Sequence, residues 1–362
     1  MIARLNLLAL SLSCLLVTSS FAAGGWQEEW DKLAAAAKKE GRLNLAAPRG
    51  DQRRQALTET FEKKYGVQIE YSGFGGPELT PRVQRERQGG VYAWDVFIAG
   101  TSTLIRGLRP IGALEPIEPN LILPDVKDPK SWRGGELPFF DKERIGLSML
   151  RRAGQYLYIN SNLVKLEEFK SWKELLNPRW KGKILIGRDP RLSGYGQSTF
   201  GFFYIHKELG TEFIKKLVQQ DLKMIQDDGT ASKWIAQGQY PICICSDIQM
   251  DRYIQEGLPV KAVPGGQLKE GTNVTSAFAN VSKATRGPHP NAAKLYVNWV
   301  LSREAGLLFS KATGDPSLRA DVPNDHVEPW AIPQPGWPIT NTEEAIKIEE
   351  PLVVLLKQLL GE

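Results

Sequence analysis

The sequence predicts an α/β protein of two lobes, each a mainly parallel sheet flanked by helices. Three observations carry this. The chain has 362 residues, more than one ordinary core organises. Short apolar strands alternate with helical segments from Leu43 to Ala99 at the spacing of βαβ units. A stretch rich in proline and turn residues, Ile117 to Phe140, then precedes a second alternation that begins at Gln155.

The first residues read as an export signal. Arg4 supplies a positive start, Leu5 to Val17 is mostly apolar, and Ser20-Phe21-Ala22-Ala23 offers small residues for cleavage near Ala22 or Ala23. Cys14 follows Ser11-Leu12-Ser13, a poor lipobox, so no lipid anchor is expected. No later apolar stretch approaches the ~20 residues of a membrane span, and the mature chain is expected to be soluble.

Trp26, Trp30, Leu33 and Ala37 fall at helical spacing, and Gly41 stops that helix. Leu43 to Ala47 is a strand ending in Pro48-Arg49-Gly50-Asp51, and Arg53 to Tyr65 is a second helix. Val67 to Tyr71 alternates as a strand, which Gly73 to Pro77 breaks. Pro77 to Gln88 opens as a helix with proline and an acidic first turn. Trp94 to Ala99 is a strand closed by Gly100-Thr101-Ser102-Thr103.

In the second set, Gln155 to Ile159 and Lys183 to Gly187 read as strands, with Ser171 capping Trp172 to Leu176 between them. A long helix is expected from about Gln197 to Leu209. Ile242 to Cys245 is a strand, Ser246-Asp247 caps the next helix, and Leu258 to Val263 starts the way back. Pro290 to Leu301 is a helix with Ala292, Leu295, Tyr296 and Trp299 on one face, and the tail turns helical from about Glu343. The division expected is a leader at 1–23, the first lobe at 24–125, the second at 126–265, a return to the first at 266–330 and a tail helix at 331–362.

Composition narrows the function. A net charge of +5, with scattered basic residues, does not argue for nucleic acid. Beyond the leader the cysteines are Cys243 and Cys245, which alternate on one face of a strand and read as two small buried hydrophobes. A lone C-x-C offers too few ligands for a metal site. There is no G-x-S-x-G elbow, no H-E-x-x-H and no Walker A loop. His206, His289 and His326 are scattered along the chain, and His206 and His289 read as structural.

Several segments resemble the family 1 extracellular solute-binding proteins, with the ferric-ion-binding branch nearest. They are Trp30 to Gly41, Phe61 to Gly66, Ala93 to Phe97, Ser171 to Lys183 and Pro288 to Lys294. The resemblance runs from Trp26 to about Asp321. It implies the periplasmic-binding fold, two α/β lobes on a hinge of two crossing strands, and delivery of a solute to the permease subunits of an ABC importer. The missing catalytic motifs argue against catalysis, and no cofactor and no resident metal are expected; a periplasmic monomer is expected. Ferric-binding members of the family hold iron with two adjacent tyrosines. This chain has no Tyr-Tyr pair, and Tyr195 stands alone between Gly194 and Gly196.

The candidate ligand residues lie in loops that follow strands. Arg188, Arg191, Ser193, Gly194 and Tyr195 lead from one strand into a helix, whose free N–H groups and partial positive charge suit an anion. Arginine can grip a carboxylate or phosphate with two parallel bonds. Thr101, Ser102 and Thr103 are the counterpart in the first lobe, with Arg49 as a third loop and Arg152 and Tyr156 on the expected hinge strand. Each also reads as an ordinary turn, cap or surface residue. The function expected is capture of a small anion, or of a metal with an anion. Iron(III) transport and an enzyme on a related two-lobed fold are the alternatives.

Overall fold

The structure, a computed structural model, describes residues 25–154, 156–192, 195–225, 227–245, 247–276 and 278–361. The first sheet takes β1 (Arg42–Pro48), β2 (Gln68–Phe74), β3 (Val96–Ala99) and β4 (Leu114–Glu115). Helices α1 (Gly25–Glu40), α2 (Asp51–Tyr65) and α3 (Gly76–Gln88) alternate with its first three strands. Parallel pairing of β1 with both β2 and β3 sets Pro48, Phe74 and Ala99 at one edge of the sheet. After α4 (Pro124–Lys127), β5 (Gly146–Ser148) joins the same sheet through a late strand described below.

The chain then crosses. β6 (Arg152–Ala153) leads into β7 (Leu157–Asn160), the first strand of a five-stranded sheet with order β11-β7-β10-β8-β9. Its other strands are β8 (Ile184–Ile186), β9 (Lys223–Met224), β10 (Ile242–Ile244) and β11 (Val260–Ala262). Around it lie α5 (Tyr195–Ile205), α6 (Gly210–Val218), α7 (Asp228–Ala236) and α8 (Asp247–Gln255). β8, β9 and β10 run parallel, while β7 is antiparallel to both β10 and β11. β12 (Val274–Thr275) pairs antiparallel with β6, and the chain re-enters the first sheet as β13 (Asn280–Ala284), antiparallel to β3. The two α/β lobes are thus joined by a two-stranded ribbon, β6 with β12. Helices α9 (Pro290–Val300), α10 (Arg303–Thr313) and α11 (Glu343–Leu360) follow.

Each sheet has its own core. Leu43, Leu45, Phe61, Tyr296 and Trp299 lie under the first; Ile159, Trp172, Ile184, Phe200 and Phe203 lie under the second. Three expectations change. The crossing does not fall at 125/126, because Val126, Trp132 and Leu147 belong to the first core and the Asn298 side chain holds the backbone of Ile122 and Leu123 there. The long helix expected to Leu209 ends at Ile205 and restarts at Gly210, whose φ is +62°. Cys243 and Cys245 are buried on one face of β10 as expected, but they are joined as a disulfide across Ile244, with Cα atoms 5.5 Å apart.

The tail is more than an appended helix. Ile339 forms an isolated parallel bridge with Val274 beside the ribbon, with Val274 N–H donating to the Pro338 carbonyl at 2.8 Å. Trp337 packs against the turn at Gly271, whose φ is +68° and where any Cβ would meet the indole at 2.3 Å. The first half of α11 sits on the first lobe. Glu343 N–H donates to the Phe140 carbonyl, Arg106 donates to the Ile346 carbonyl at 2.7 Å, and Ile346 is buried with Leu79 and Trp94. The second half sits on the second lobe, with Leu352 and Leu356 fully buried beside Phe200 and Phe203. Pro351 stands between the halves.

Candidate functional site

In open α/β sheets the strand C-termini, where the loops are free to carry polar groups, are the place for a ligand. The ribbon and the parallel registers put Pro48-Arg49, Phe74 and Ala99-Gly100 at that edge of the first lobe. In the second lobe, Gly187-Arg188 and Cys245 stand at the ends of β8 and β10.

On the second lobe the loop after β8 turns directly into α5. Gly196 permits the turn, since a Cβ there would lie 2.3 Å from the Arg188 carbonyl oxygen. Gly187 is equally tight, with the Tyr195 hydroxyl 2.6 Å from where its Cβ would be. Tyr195 therefore lies across the strand ends. Tyr156, at the start of β7, stacks on it with ring centroids 5.4 Å apart and planes 17° apart. The Tyr156 ring folds back along the ribbon toward Gly154, where a Cβ would meet its Cε2 at 2.7 Å. The Arg188 guanidinium stands 5.9 Å from the Tyr195 ring centroid. Arg188, Tyr195 and Tyr156 thus form one group on the cleft side of the second lobe.

Arg191 does not join that group. Its backbone N–H and guanidinium all donate to Asp189, the closest bond from Nη2 at 2.6 Å, and Nη1 caps the Gly361 carbonyl. Burial pushes the Asp189 carboxyl up, but the Arg191 bonds outweigh it and hold the carboxyl below its usual range. Ser193 and Gly194 lie outside the described residues.

On the first lobe Arg49 is exposed and pairs with Glu78 at 2.5 Å, an ion pair across the first turn of α3. Tyr71 donates to the Pro48 carbonyl and braces that turn; burial pushes its phenol up to about 12. Thr101 was expected to face the ligand, yet it is 2% exposed. Its hydroxyl donates to the Asn341 carbonyl at 2.9 Å and accepts from Asn280 Nδ2 at 3.0 Å. It fastens the tail to the first lobe. Ser102 and Thr103 are half-buried at the start of a wide helical turn, Thr103–Leu108, which carries no side-chain cap. Arg152 is also redirected: it pairs with Asp315 at 3.3 Å and lies 5.1 Å from the Trp330 ring centroid.

Sequence reasoning missed the residues that hold the ribbon. Asn273 is fully buried and donates to Ser198 Oγ at 2.8 Å, tying the ribbon to α5. Asn280 is fully buried and bonds the Ala99 carbonyl, Thr101 and Ser276, tying it to β3. A lone asparagine between short strands carries no sequence signal for this role. Phe278 was missed too. It is 58% exposed, has φ +60° and lies against Gly100. The histidines serve the scaffold: His289 bonds the buried Asp95 through both its backbone N–H and Nδ1, and His326 Nε2 bonds Ser310. Among the described residues no group of three His, Cys, Asp or Glu side chains could hold a metal ion.

Two α/β lobes on a short ribbon, with polar loops at their facing edges, are the build of a solute-binding protein. The chain belongs to the bacterial extracellular solute-binding protein family, whose model matches residues 56–334. It is 21% identical over 292 residues to iron uptake protein A1 of a Synechocystis strain, covering 78% of this chain and 77% of that one. Two solved structures share the fold. Ferric iron-binding protein A of Mannheimia haemolytica, in an open conformation, superposes with a TM-score of 0.69 at 17% identity, covering 88% of this chain and 98% of that one. The periplasmic binding protein AfuA of Actinobacillus pleuropneumoniae, with fructose-6-phosphate bound, gives 0.64 at 18% identity, covering 88% and 99%.

Proposed function

We propose that this chain is the periplasmic receptor of an ABC importer, exported by a leader at 1–23, that captures a small anion between its lobes and presents it to the permease subunits without chemical change. The observation that carries the ligand class is the position of Arg188. It follows the parallel strand β8 by two residues, and its guanidinium stands 5.9 Å from the ring centroid of Tyr195, the first residue of α5, so a positive charge at the strand ends lies beside a helix N-terminus. Arg191, in the same loop, is bound to Asp189 and the Gly361 carbonyl and serves as the control.

The test is a pair of variants titrated by calorimetry with inorganic phosphate, fructose 6-phosphate and iron(III) citrate. Losing one buried charge-assisted bond costs about 1.5–3 kcal/mol, one to two decades of affinity. Arg188→Ala should weaken binding of the anion that the parent takes at least tenfold with the fold intact, whereas Arg191→Ala should lower stability and leave affinity within threefold. Equal affinity of Arg188→Ala and the parent would sink the proposal.

Iron(III) is the second reading, and one observation speaks for it: Tyr156 and Tyr195, distant in sequence, stack in space. The rings are near-parallel, 17° apart, with centroids 5.4 Å apart. The expected outcome is a colourless protein with added iron(III). A visible phenolate charge-transfer band that disappears in Tyr195→Phe would establish the iron reading instead.

A further inference from the structure

We infer that the solute carries a ring as well as a charge, and that Phe278 is the first lobe's wall for that ring. The inference rests on the anion-binding reading above and adds the ligand's body to its charge.

Phe278 stands out on two independent counts. It is a large apolar side chain left 58% exposed. Its backbone also sits at φ +60°, a left-handed conformation that a bulky residue adopts only under constraint. The constraint is visible. Ala279 N–H donates to the Ser276 carbonyl at 2.8 Å, and Asn280 Nδ2 donates to Ser276 Oγ and to the Ala99 carbonyl, tying the segment to β3. Glycine would relax this turn, yet the position holds an aromatic ring. The ring is laid on Gly100, where a Cβ would meet Phe278 Cδ1 at 2.9 Å. Gly100 follows β3, so the ring rests at the ligand edge of the first sheet.

The position has a counterpart. The first ribbon strand enters the second lobe at Tyr156, which stacks with Tyr195 at the strand ends there. The second ribbon strand enters the first lobe at Phe278. Each crossing therefore delivers one aromatic to the ligand edge of the lobe it enters. Closing the lobes brings the two aromatic walls toward each other with Arg188 at one end. A planar or cyclic body bearing a phosphate or carboxylate fits such a site, because ring faces stack offset or edge-on and the charge needs a separate handle.

The test measures a preference. Phenyl phosphate is titrated against inorganic phosphate, and benzoate against acetate, on the full mature chain. The expected result is at least tenfold tighter binding of the ring-bearing member in one pair. Phe278→Gly should cut that preference below threefold while leaving the small anion's affinity unchanged within twofold. Because glycine relaxes the left-handed turn, its Tm should be unchanged or raised. Phe278→Trp should keep the preference. Loss of preference together with a lowered Tm would mark Phe278 as a packing residue and overturn its role at the site. No ring preference in either pair, with Arg188-dependent binding of the small anion retained, would overturn the ring and leave the anion reading standing. No binding of any of the four would overturn both.

Discussion

Arg188 and Arg191 occupy one loop and look alike in sequence, yet they have different neighbours: Arg191 forks onto Asp189, and Arg188 stands by the Tyr195 ring. The distinction comes from Asp189, whose two oxygens take the Arg191 fork, a match of planar geometries that a sequence pattern does not display. Glycines are more legible in hindsight. Gly196 is pressed against the Arg188 carbonyl, where a Cβ would lie 2.3 Å from the oxygen. Gly196→Ala should force the start of α5 away from β8 and cost about 1–3 kcal/mol by overpacking, read as a lowered midpoint in urea unfolding. Arg188 moves with that turn, so anion affinity should fall in the same variant. Unchanged stability would mean that the turn can relax and that the contact is no constraint.

At the scale of elements, several helices were legible because one face lies on a core and one toward water, and the main strands were legible as short apolar runs buried on both faces, whereas α6, α7 and α10 were not read. What stayed hidden were β6 and β12, too short to show alternation, and β13, whose pairing with β3 joins residues far apart in the chain. α11 was visible as a helix, but its reach over both lobes was not, since Leu352 and Ile346 look equally apolar in sequence and are buried in different cores. Its hold on the first lobe is electrostatic at the first turn. Glu343 accepts from Lys142 N–H and Arg109, and these bonds keep its carboxyl below the usual carboxylate range. A depressed folded-state pKa gives stability that is present above the unfolded value of about 4.3 and is lost as pH falls through the folded value. The parent should therefore melt higher than Glu343→Gln at pH 7, and the gap should close on acidification below pH ~4. A gap that persists at low pH would assign the difference to packing instead of charge.

For the molecule as a whole, the ribbon and the tail impose opposite demands. The ribbon is a pair of two-residue strands, β6 and β12, slender enough to flex, and hinge closure is the known movement of such two-lobed proteins. The tail, by contrast, is fastened to both lobes: at Phe140, Arg106 and Arg109 on one side, and by Leu352 and Leu356 on the other. Separating the lobes must either detach the first turns of α11 or bend the helix. Pro351 supplies the bend, because it cannot donate to the preceding turn and so removes a backbone bond that bending would otherwise break. Two substitutions separate these routes. Pro351→Ala should straighten and stiffen the helix, raising Tm and slowing the approach to binding equilibrium in stopped-flow tryptophan fluorescence. Arg106→Ala with Arg109→Ala should release the first-lobe end, giving a larger radius of gyration in solution scattering of the solute-free protein. Affinity should drop in proportion to the fraction of molecules shifted to wider states. If the double variant keeps both the parent's radius and its affinity, α11 rides on the second lobe alone and does not limit the hinge.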